Sequence, residues 1–318
     1  MKKILITGGA GFIGSSLVNE LKKRKNYDVY VLDVKKDPEN LKNVIQKITY
    51  IYGDIRDRKL LNGLFLQHHF DGIIHLAAVS RVIWGEEDPE MCISTNIGGT
   101  KNLVEIVSET QRNMPWIIFG SSREVYGEPL TLPVSEDDPL NPINTYGKTK
   151  YEGEKIIEQY SKYYDIDSLV LRFSNVYGNE RDILDRVIPR FILLSMGGED
   201  ITINGGTQKF DFTYIDDTVN GIILAIEYIE KNRYDSTHIF DSFHMVTGIP
   251  TEILTLAKKI KEYTSSESKI IYMAPRDYDV NIFYGNPDKA YKKLGFHATF
   301  DIDTGLKRTI KALRRDHE

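Results

Sequence analysis

The chain begins MKKILITGGAGFIGSSL over residues 1–17, and this stretch places three glycines directly behind a short apolar run. The glycines are Gly8, Gly11 and Gly14. Between a strand and a helix, such a triplet accepts a phosphate: the first glycine allows a sharp turn, the second lets the backbone approach a pyrophosphate, and the third permits close helix packing. Alternatively, the glycines form a tight turn that binds no ligand. The surrounding sequence distinguishes between these two interpretations.

Short β-rich runs alternate with stretches of helical spacing through the first half of the chain. The runs are Lys3–Thr7, Val29–Asp33, Ile48–Asp54, Gly72–Ala78, Trp116–Ser122 and Ser168–Phe173. Most of them are continuously apolar, as strands covered on both faces are. Between them, apolar residues recur with the spacing of a helix, as at Ile13, Leu17 and Leu21. The alternation predicts an α/β fold with a doubly wound parallel sheet of the Rossmann type.

Asp33 supplies the second half of a dinucleotide signal. It ends the second predicted strand, about twenty residues after the glycines, where a carboxylate accepts hydrogen bonds from a ribose 2′-hydroxyl and repels a 2′-phosphate. The helix that begins near Phe12 and Ile13 offers backbone N–H groups and a positive dipole end to the pyrophosphate. The sequence therefore predicts NAD rather than NADP. The nearby cations Lys35 and Lys36 are the one feature that would favour the 2′-phosphate of NADP.

The regular alternation weakens after about Val176, where glycine and proline interrupt it and shorter runs such as Ile201–Ile203 appear. We therefore predict an NAD-binding domain over residues 1–175. A smaller, less regular substrate-binding region is predicted over residues 176–318. Part of 210–235 is expected to return to the sheet, because a short β-rich run is followed there by a helical pattern.

Composition narrows the class of protein. The chain has 318 residues, a formal net charge of −5 and one cysteine. A negative chain with dispersed basic residues argues against a nucleic-acid partner. The lone Cys92 excludes an internal disulfide framework and fits a reducing compartment. No apolar run suits a signal peptide or a membrane span. We expect a cytoplasmic protein without a metal, in which His75 is a core or loop histidine.

The stretch INTYGKTKYEGEK contains Tyr146 and Lys150, which share one face of a helix at this spacing. A tyrosine, whose pKa is ordinarily about 10, is a poor base at neutral pH. A neighbouring ammonium and the positive nicotinamide ring favour the phenolate and lower that pKa toward the working range. The predicted strand IIFGSS ends at Ser121 and Ser122, at the edge where open α/β sheets bind ligands. A hydroxyl there can share a substrate oxygen with Tyr146.

Five motifs together resemble the extended short-chain dehydrogenase/reductase family, and more narrowly its nucleotide-sugar epimerase/dehydratase branch. They are TGGAGFIG at 7–14, HLAA at 75–78, SSREVYG at 121–127, YGKTK at 146–150 and RFSNVYG at 172–178. The likeness runs in order from Met1 to about Leu294. The combination is specific for the family and less specific for the reaction.

The resemblance implies roles for individual positions. Tyr146 would take the proton of a sugar hydroxyl, Lys150 would hold the nicotinamide ribose and tune Tyr146, and Ser122 matches the catalytic serine or threonine. The implied cofactor-binding positions are Gly8, Gly11, Phe12, Ile13, Gly14, Asp33, Asp54, Ile55, Ala77, Ala78, Asn96, Ser121, Tyr146 and Lys150. The implied substrate-binding positions are Ser122, Arg123, Asn175, Arg181, Lys209 and Arg276.

The segment GGTQKFDFTYIDD departs from the family pattern. The family usually has an arginine immediately before Asp211, and this chain has Phe210 there, with Lys209 adjacent. An arginine contact to the sugar diphosphate is therefore missing, or is replaced by Lys209 or Arg181. The identity of the nucleotide is left open by this change.

The pair Arg123-Glu124 is the second departure. In the related 4,6-dehydratases an Asp-Glu pair stands here, in which the aspartic acid protonates a leaving hydroxyl and the glutamate removes a carbon-bound proton. Arginine cannot act as an acid at neutral pH, so dehydration is expected to be disabled. Arg123 can instead bind a carboxylate through two hydrogen bonds, which would suit a hexuronate. Alternatively, Arg123 and Glu124 form a structural ion pair.

The resemblance implies an NAD-dependent 4-epimerase of the UDP-glucose/UDP-galactose type, acting through a 4-keto sugar, with Ser122, Tyr146, Lys150 and Glu124 as catalytic positions. A UDP-hexuronate epimerase or decarboxylase, or a 4,6-dehydratase-like lyase, is the alternative because of Arg123-Glu124. Amphipathic helices around Asn96–Val107 and Tyr146–Tyr160 commonly pair with a second subunit in this family, so a homodimer is expected. A nucleotide-binding protein without catalysis is a third possibility.

Overall fold

The secondary structure is described for residues 1–233, 238–276 and 278–317 of a computed structural model. The strands in these ranges are β1 (Lys2–Thr7), β2 (Tyr27–Asp33), β3 (Thr49–Tyr52), β4 (Gly72–His75), β5 (Trp116–Ser122), β6 (Ser168–Phe173), β7 (Asn175–Tyr177), β8 (Ile201–Asn204), β9 (Lys209–Tyr214), β10 (Phe240–Met245), β11 (Pro250–Glu252), β12 (Ile270–Met273) and β13 (Ile282–Phe283). The α-helices are α1 (Phe12–Arg24), α2 (Arg58–Gln67), α3 (Val82–Glu87), α4 (Pro89–Ile93), α5 (Thr100–Thr110), α6 (Thr145–Tyr164), α7 (Val187–Met196), α8 (Ile215–Asn232), α9 (Ile253–Thr264), α10 (Asp288–Leu294) and α11 (Ile302–His317).

Seven strands form the main sheet in the order β10-β6-β5-β4-β1-β2-β3. The pairs from β3 through β5 are parallel, with β1 lying between β2 and β4. The order of the strands reverses between β1 and β4, and ligands of doubly wound sheets bind beyond the carboxyl ends of the strands at such a point. This confirms the predicted Rossmann-type α/β fold.

Two predicted strands are shorter in the structure than in the sequence interpretation. The third ends at Tyr52, although Gly53 after it still donates its N–H to the Asp33 carbonyl of β2 at 2.9 Å. The fourth ends at His75 rather than Ala78. There the N–H of Ala77 donates to the hydroxyl of Thr7, a side chain, instead of continuing the strand ladder. The seventh strand of the sheet, β10, was not predicted.

A continuous apolar core fills the space between the sheet and the helices α2, α5 and α6. Its buried members include Leu5, Ile73, Ile117, Leu61, Phe65, Leu103, Val107 and Ile157. The helix α2 begins where the Asp57 carboxylate accepts hydrogen bonds from the N–H groups of Lys59 and Leu60. Such capping replaces the missing intrahelical partners of the first turn and stabilises a helix by about 1 kcal/mol.

The described chain divides into two compact units. The first contains Met1–Gly127, Leu140–Arg172 and Gly221–Phe243, and the second contains Glu128–Pro139, Phe173–Asn220 and His244–Glu318. The sequence boundary at residue 175 stays a prediction. Within 210–235, the expected return to the main sheet is not made by a strand: β9 pairs elsewhere, while α8 from Gly221 onward belongs to the first unit.

The second unit has its own smaller sheets. In one of them β9 pairs in parallel with β7 and β13 and antiparallel with β11, and a separate sheet joins β8 to β12 in parallel. The central strand β9 therefore has three partners inside this unit, which is why it does not extend the seven-stranded sheet. Along the described ranges, no helix combines the length and the apolar character needed to cross a bilayer.

Candidate active site

The glycine turn connects β1 to α1 and leaves room only for backbone. Gly8 has a positive φ of 71°, and a Cβ there would lie 2.6 Å from the backbone nitrogen of Ala77. A Cβ at Gly14 would lie 2.3 Å from the carbonyl oxygen of Gly8. Both contacts are with backbone atoms, which cannot rotate away as a side chain would. A larger residue at either position would therefore distort the turn.

The N-terminus of α1 is open to an anion. The first N–H groups of the helix, those of Phe12 and Ile13 among them, have no intrahelical acceptor. The preceding residue, Gly11, has no side chain that could cap them. Such groups and the positive end of the helix dipole together bind phosphate. The cradle that a Cβ would fill and the uncapped helix end thus fit the pyrophosphate of a dinucleotide.

Asp33 is buried at the carboxyl end of β2, and its carboxylate holds the same turn. One oxygen accepts the N–H of Ala10 at 2.9 Å, and the other accepts the N–H of Lys35 at 3.1 Å. Each carboxylate oxygen retains capacity for a further bond, so a ribose hydroxyl can still be accepted. The ammonium of Lys35 lies 3.4 Å from the Ala10 carbonyl oxygen. The arrangement favours a cofactor without a 2′-phosphate.

His75 holds the loop that carries Ala77 and Ala78. Its Nδ1 lies 2.6 Å from the Thr7 hydroxyl and its Nε2 lies 2.9 Å from the Thr100 hydroxyl. Thr100 donates its own proton to the Asn96 carbonyl, so Thr100 accepts from Nε2–H and Nδ1 accepts from Thr7. Burial lowers the pKa of His75 to about 3, which keeps the ring neutral. His75 is therefore a core histidine in a hydrogen-bond chain.

Asn96 lies in a π-helical turn, Ser94–Gly99, that leads into α5. Its amide oxygen accepts the N–H of Val79 at 2.8 Å, while its amide nitrogen donates to the Val79 carbonyl at 3.0 Å and to the Thr149 hydroxyl at 2.9 Å. π-helical turns recur at functional sites. The side chain thus fixes the loop after β4 to the helix that carries Tyr146 and Lys150.

Asp54 and Ile55 follow β3 and differ in their surroundings. Ile55 is buried, and its Cγ2 would lie 2.5 Å from a Cβ added at Gly99. The Asp54 carboxylate binds the Arg56 guanidinium at 2.6 Å. Hydrogen bonding from Arg56 lowers the pKa of Asp54, so it stays ionised. Their predicted role in cofactor binding stays a prediction.

Lys150 connects the helix α6 to the end of β5. Its ammonium is buried and donates to the carbonyl of Gly120 at 2.7 Å, immediately before Ser121 and Ser122. Tyr146 lies one turn earlier on the same helix and is nearly buried. The structure therefore places the predicted phenol, amine and serine on two elements that this hydrogen bond joins.

Burial lowers the pKa of Lys150 to about 8, even though Cys92 and Glu154 raise it. An unfolded lysine has a pKa of about 10.4. The unfolded chain therefore binds more protons between these values, and the stability of the cofactor-free protein should rise with pH in that window.

Lys150→Met should stabilise the cofactor-free protein at pH 7 by about 2 kcal/mol, because it removes the cost of burying a charge. Urea unfolding of the two cofactor-free proteins measures the difference. A lower stability of the variant would mean that the bond to the Gly120 carbonyl outweighs the cost of burial.

Arg123 and Glu124 form a buried ion pair just after Ser122, with 2.7 Å between Arg123 Nη2 and Glu124 Oε1. The other carboxylate oxygen of Glu124 accepts a hydrogen bond from Asn144 Nδ2 at 2.8 Å. The N–H of Glu124 donates to the hydroxyl of Ser122 at 3.2 Å. The structural ion pair that the sequence left open is therefore present.

A buried charged network lies beneath this segment. Glu154 on α6 accepts hydrogen bonds from the hydroxyl of Ser121 and from two nitrogens of Arg172 on β6, the latter at 2.7 and 3.0 Å. A third nitrogen of Arg172 donates to the Tyr126 hydroxyl at 2.6 Å. The four side chains hold the end of β5 against α6 and β6.

The second unit contains the remaining predicted substrate residues. Asn175 lies on β7, and within the described ranges no group hydrogen-bonds its buried Nδ2. Arg181 is half-buried, with Nε 3.7 Å from Glu180. The guanidinium of Arg276 binds the Asp279 carboxylate through two hydrogen bonds of 2.7 and 3.0 Å.

The departure at Phe210 has a clear local structure. Lys209 is exposed at the start of β9, and Asp211 is fully buried. The Asp211 carboxylate accepts hydrogen bonds from the N–H and hydroxyl of Thr247 and from the N–H of Gly248, all within 2.9 Å. Asp211 therefore anchors the turn after β10, and Lys209 is the exposed cation next to Phe210.

Comparison with known families decides which family the chain belongs to. A family model described as "NAD dependent epimerase/dehydratase family" matches residues 4–238. The chain belongs to this family. The match includes the glycine turn, Asp33, Ser122, Tyr146 and Lys150 in one continuous stretch.

This epimerase/dehydratase family member is similar to known proteins along nearly its whole length. It is 30% identical to the UDP-glucose 4-epimerase of Lacticaseibacillus casei, over 94% of this chain and 92% of that protein. The crystal structure of UDP-glucose 4-epimerase from Thermotoga maritima with UDP-glucose superposes with a TM-score of 0.90 at 30% identity, covering 99% of this chain and 100% of that one. UDP-glucuronic acid 4-epimerase from Bacillus cereus, in complex with UDP-glucuronic acid and NAD, gives 0.88 at 28%, covering 98% and 99%.

Several residues around the site of this family member were not predicted. Asn144 precedes a helix, and an asparagine in that position is a recognised capping signal. The signal for Glu154 and Arg172 was weaker. Arg172 is a charged residue inside the apolar strand SLVLRF, and a buried charge requires a partner such as Glu154. Among the described side chains, no group of three or more histidine, cysteine, aspartate or glutamate residues is arranged to hold a metal ion.

Proposed function

We propose that the protein is an NAD-dependent nucleotide-sugar 4-epimerase of the UDP-glucose/UDP-galactose type. The observation that carries the proposal is the hydrogen bond from Lys150 to the Gly120 carbonyl. It joins the helix of Tyr146 to the strand end of Ser122. The cradle at Gly8, which fits a dinucleotide, follows β1, and the carboxyl ends of β1 and β5 lie at the same edge of the parallel sheet. Bound NAD would accept the hydride from C4 of the sugar and return it to the other face of the 4-keto sugar.

The chain's own residues would handle the proton and the oxygen. Tyr146 would take the proton of the C4 hydroxyl, since the positive charge of Lys150 favours the phenolate. Ser122 accepts the N–H of Glu124, so its own proton is available for the same sugar oxygen. Proton transfer of this kind contributes about 10²–10⁴-fold to a rate.

The proposed ligands of the sugar diphosphate are Asn175, Arg181, Lys209 and Arg276. The buried amide nitrogen of Asn175, which has no protein acceptor within the described ranges, supports a phosphate oxygen as its partner. Lys209 is the proposed replacement for the arginine that Phe210 displaces. Arg276 would have to exchange, or share, its contact with Asp279.

A hexuronate 4-epimerase is the second candidate. The buried guanidinium of Arg123 beside Ser122 favours it, and the Bacillus cereus relative is named for UDP-glucuronic acid. Decarboxylation or dehydration by Glu124 is disfavoured, because both carboxylate oxygens of Glu124 are held by Arg123 and Asn144.

The test is to incubate the purified protein with NAD and, separately, with UDP-glucose, UDP-galactose and UDP-glucuronic acid, and to follow the sugars by NMR. We expect interconversion at C4 in one of the two substrate classes. Released carbon dioxide or a 4-keto-6-deoxy sugar would assign a lyase instead. Failure of all three sugars to react would contradict the proposal.

We also propose a cytoplasmic homodimer. The lone Cys92 is a buried free thiol, which suits a reducing compartment. Apolar side chains are exposed near the helices α4 and α6, with Ile93 48% and Tyr163 80% accessible. Light scattering should give twice the chain mass, and a monomer at micromolar concentration would contradict the dimer.

A further inference from the structure

The proposed reaction leaves Glu124 without a role, although it follows the catalytic serine by only two residues. Its side chain is buried, and both carboxylate oxygens are engaged. Oε1 contacts the guanidinium of Arg123 at 2.7 Å, and Oε2 accepts a hydrogen bond from the amide of Asn144 at 2.8 Å. A carboxylate that removes a proton from carbon needs an oxygen free to face the substrate. Glu124 would have to break one of these contacts first.

Asn144 also hydrogen-bonds the first turn of the helix α6. Its Oδ1 accepts the N–H of Gly147 at 2.8 Å and so caps the first turn of the helix. Tyr146 lies in that turn, immediately before Gly147. The two ends of the Asn144 amide therefore connect the Glu124 carboxylate to the segment that carries the phenol.

The backbone of Glu124 also packs closely against the first turn of α6. A Cβ added at Gly147 would lie 2.5 Å from the carbonyl oxygen of Glu124, so the helix and the segment after β5 approach as closely as backbones can. On the other side, the N–H of Glu124 donates to the Ser122 hydroxyl at 3.2 Å. Glu124 thus contacts the Ser122 hydroxyl directly, and it contacts the first turn of α6, which carries the Tyr146 hydroxyl, through Asn144.

We propose that Glu124 is a positioning residue. Through Asn144 it sets the first turn of α6, and through its N–H it orients Ser122, so that the two hydroxyl groups address one sugar oxygen. Arg123 neutralises the carboxylate and keeps it in this structural contact. This role rests on the proposed epimerase function, and it predicts that the chain yields an epimer without a lyase product.

Two variants separate positioning from proton transfer. Glu124→Gln keeps the size of the side chain, but its single carbonyl oxygen cannot replace both carboxylate oxygens, so its amide group opposes a donor at Arg123 or at Asn144. Asn144→Ser keeps a helix cap, since serine also caps well, but is too short to reach Glu124. If both act through one bridge, each should lower kcat about tenfold with KM within twofold, and the double variant should be no slower than the slower single variant. Glu152→Gln, at a half-buried position of α6 where Glu152 pairs with Lys155, is the matched control and should behave as the unaltered protein does.

The measurements are kcat and KM with the active sugar, the pH profile of kcat, and hydrogen–deuterium exchange over residues 145–150. We expect an unchanged shape of the pH profile and faster exchange in both bridge variants. A fall of a hundredfold or more in Glu124→Gln alone, with loss of a limb of its pH profile, would make Glu124 an acid–base group and overturn the inference. Unaltered exchange in both variants would also overturn it. Inactivity of the unaltered protein toward every sugar would count against the proposed function, and the exchange experiment would still test the bridge.

Discussion

Tyr146→Phe should lower kcat by about 10²–10⁴-fold while NAD binding is retained, because the change removes the phenol that exchanges a proton with the sugar hydroxyl. The aromatic ring remains to fill its nearly buried position on α6. Lys150, which the resemblance places on the nicotinamide ribose, keeps its bond to the Gly120 carbonyl. The loss should therefore appear in kcat rather than in the affinity for the cofactor, which calorimetry with NAD can check.

Tyr151→Phe is the matched control for this prediction. Tyr151 lies on the same helix, partly exposed, with the ammonium of Lys155 4.9 Å from its ring centroid. A phenylalanine ring preserves that contact, so turnover should stay within about twofold. Turnover by Tyr146→Phe within tenfold of the unaltered protein would remove Tyr146 from the chemistry.

Glu154→Leu should lower the free energy of unfolding by about 3–5 kcal/mol, because it removes the carboxylate that pairs with the buried guanidinium of Arg172. The two side chains are 8% and 7% exposed and share hydrogen bonds of 2.7 and 3.0 Å. The change also removes the acceptor of the Ser121 hydroxyl. Urea unfolding, with the midpoint and slope both fitted, measures the loss.

The double variant Glu154→Leu with Arg172→Met tests the cause. When both charges are replaced by apolar groups of similar size, no uncompensated charge remains, so the double variant should be more stable than Glu154→Leu alone. If the second change adds a further loss of similar size, the pair is not the source of the effect. Glu158→Leu, at an exposed ion pair with Lys162, should change stability by less than about 1 kcal/mol.

The regular part of the fold could be predicted because its signals are local. An apolar run, three glycines and an acidic residue at the next strand end determine a strand–turn–helix–strand unit, and the structure places Gly8, Gly14 and Asp33 at one turn. The strand β10 was missed because FDSFHM contains two adjacent polar residues, so it is neither a continuous apolar run nor a strict alternation. Its place in the sheet depends on pairing with β6, which is distant in sequence.

The sequence could predict which single residues belong to the site, but not the contacts between them. The spacing of Tyr146 and Lys150 indicated one helix face, but the acceptor of the lysine is a backbone carbonyl of β5, which no residue type reveals. The pairing of Arg123 with Glu124 was one of two possibilities in the sequence. The hydrogen bond from Asn144 to Glu124 occupies the second carboxylate oxygen, and it could not be predicted because the two residues are twenty positions apart in the sequence.

Asp33, the predicted determinant of cofactor preference, also stabilises the glycine turn. Its carboxylate accepts the backbone N–H groups of Ala10 and Lys35, so it holds the glycine segment in place whatever cofactor binds there. Replacing Asp33 to admit a phosphorylated cofactor would also remove the acceptor of both N–H groups and so destabilise the loop that is predicted to bind the pyrophosphate. A successful switch of preference would need a second change that gives those two amides new acceptors.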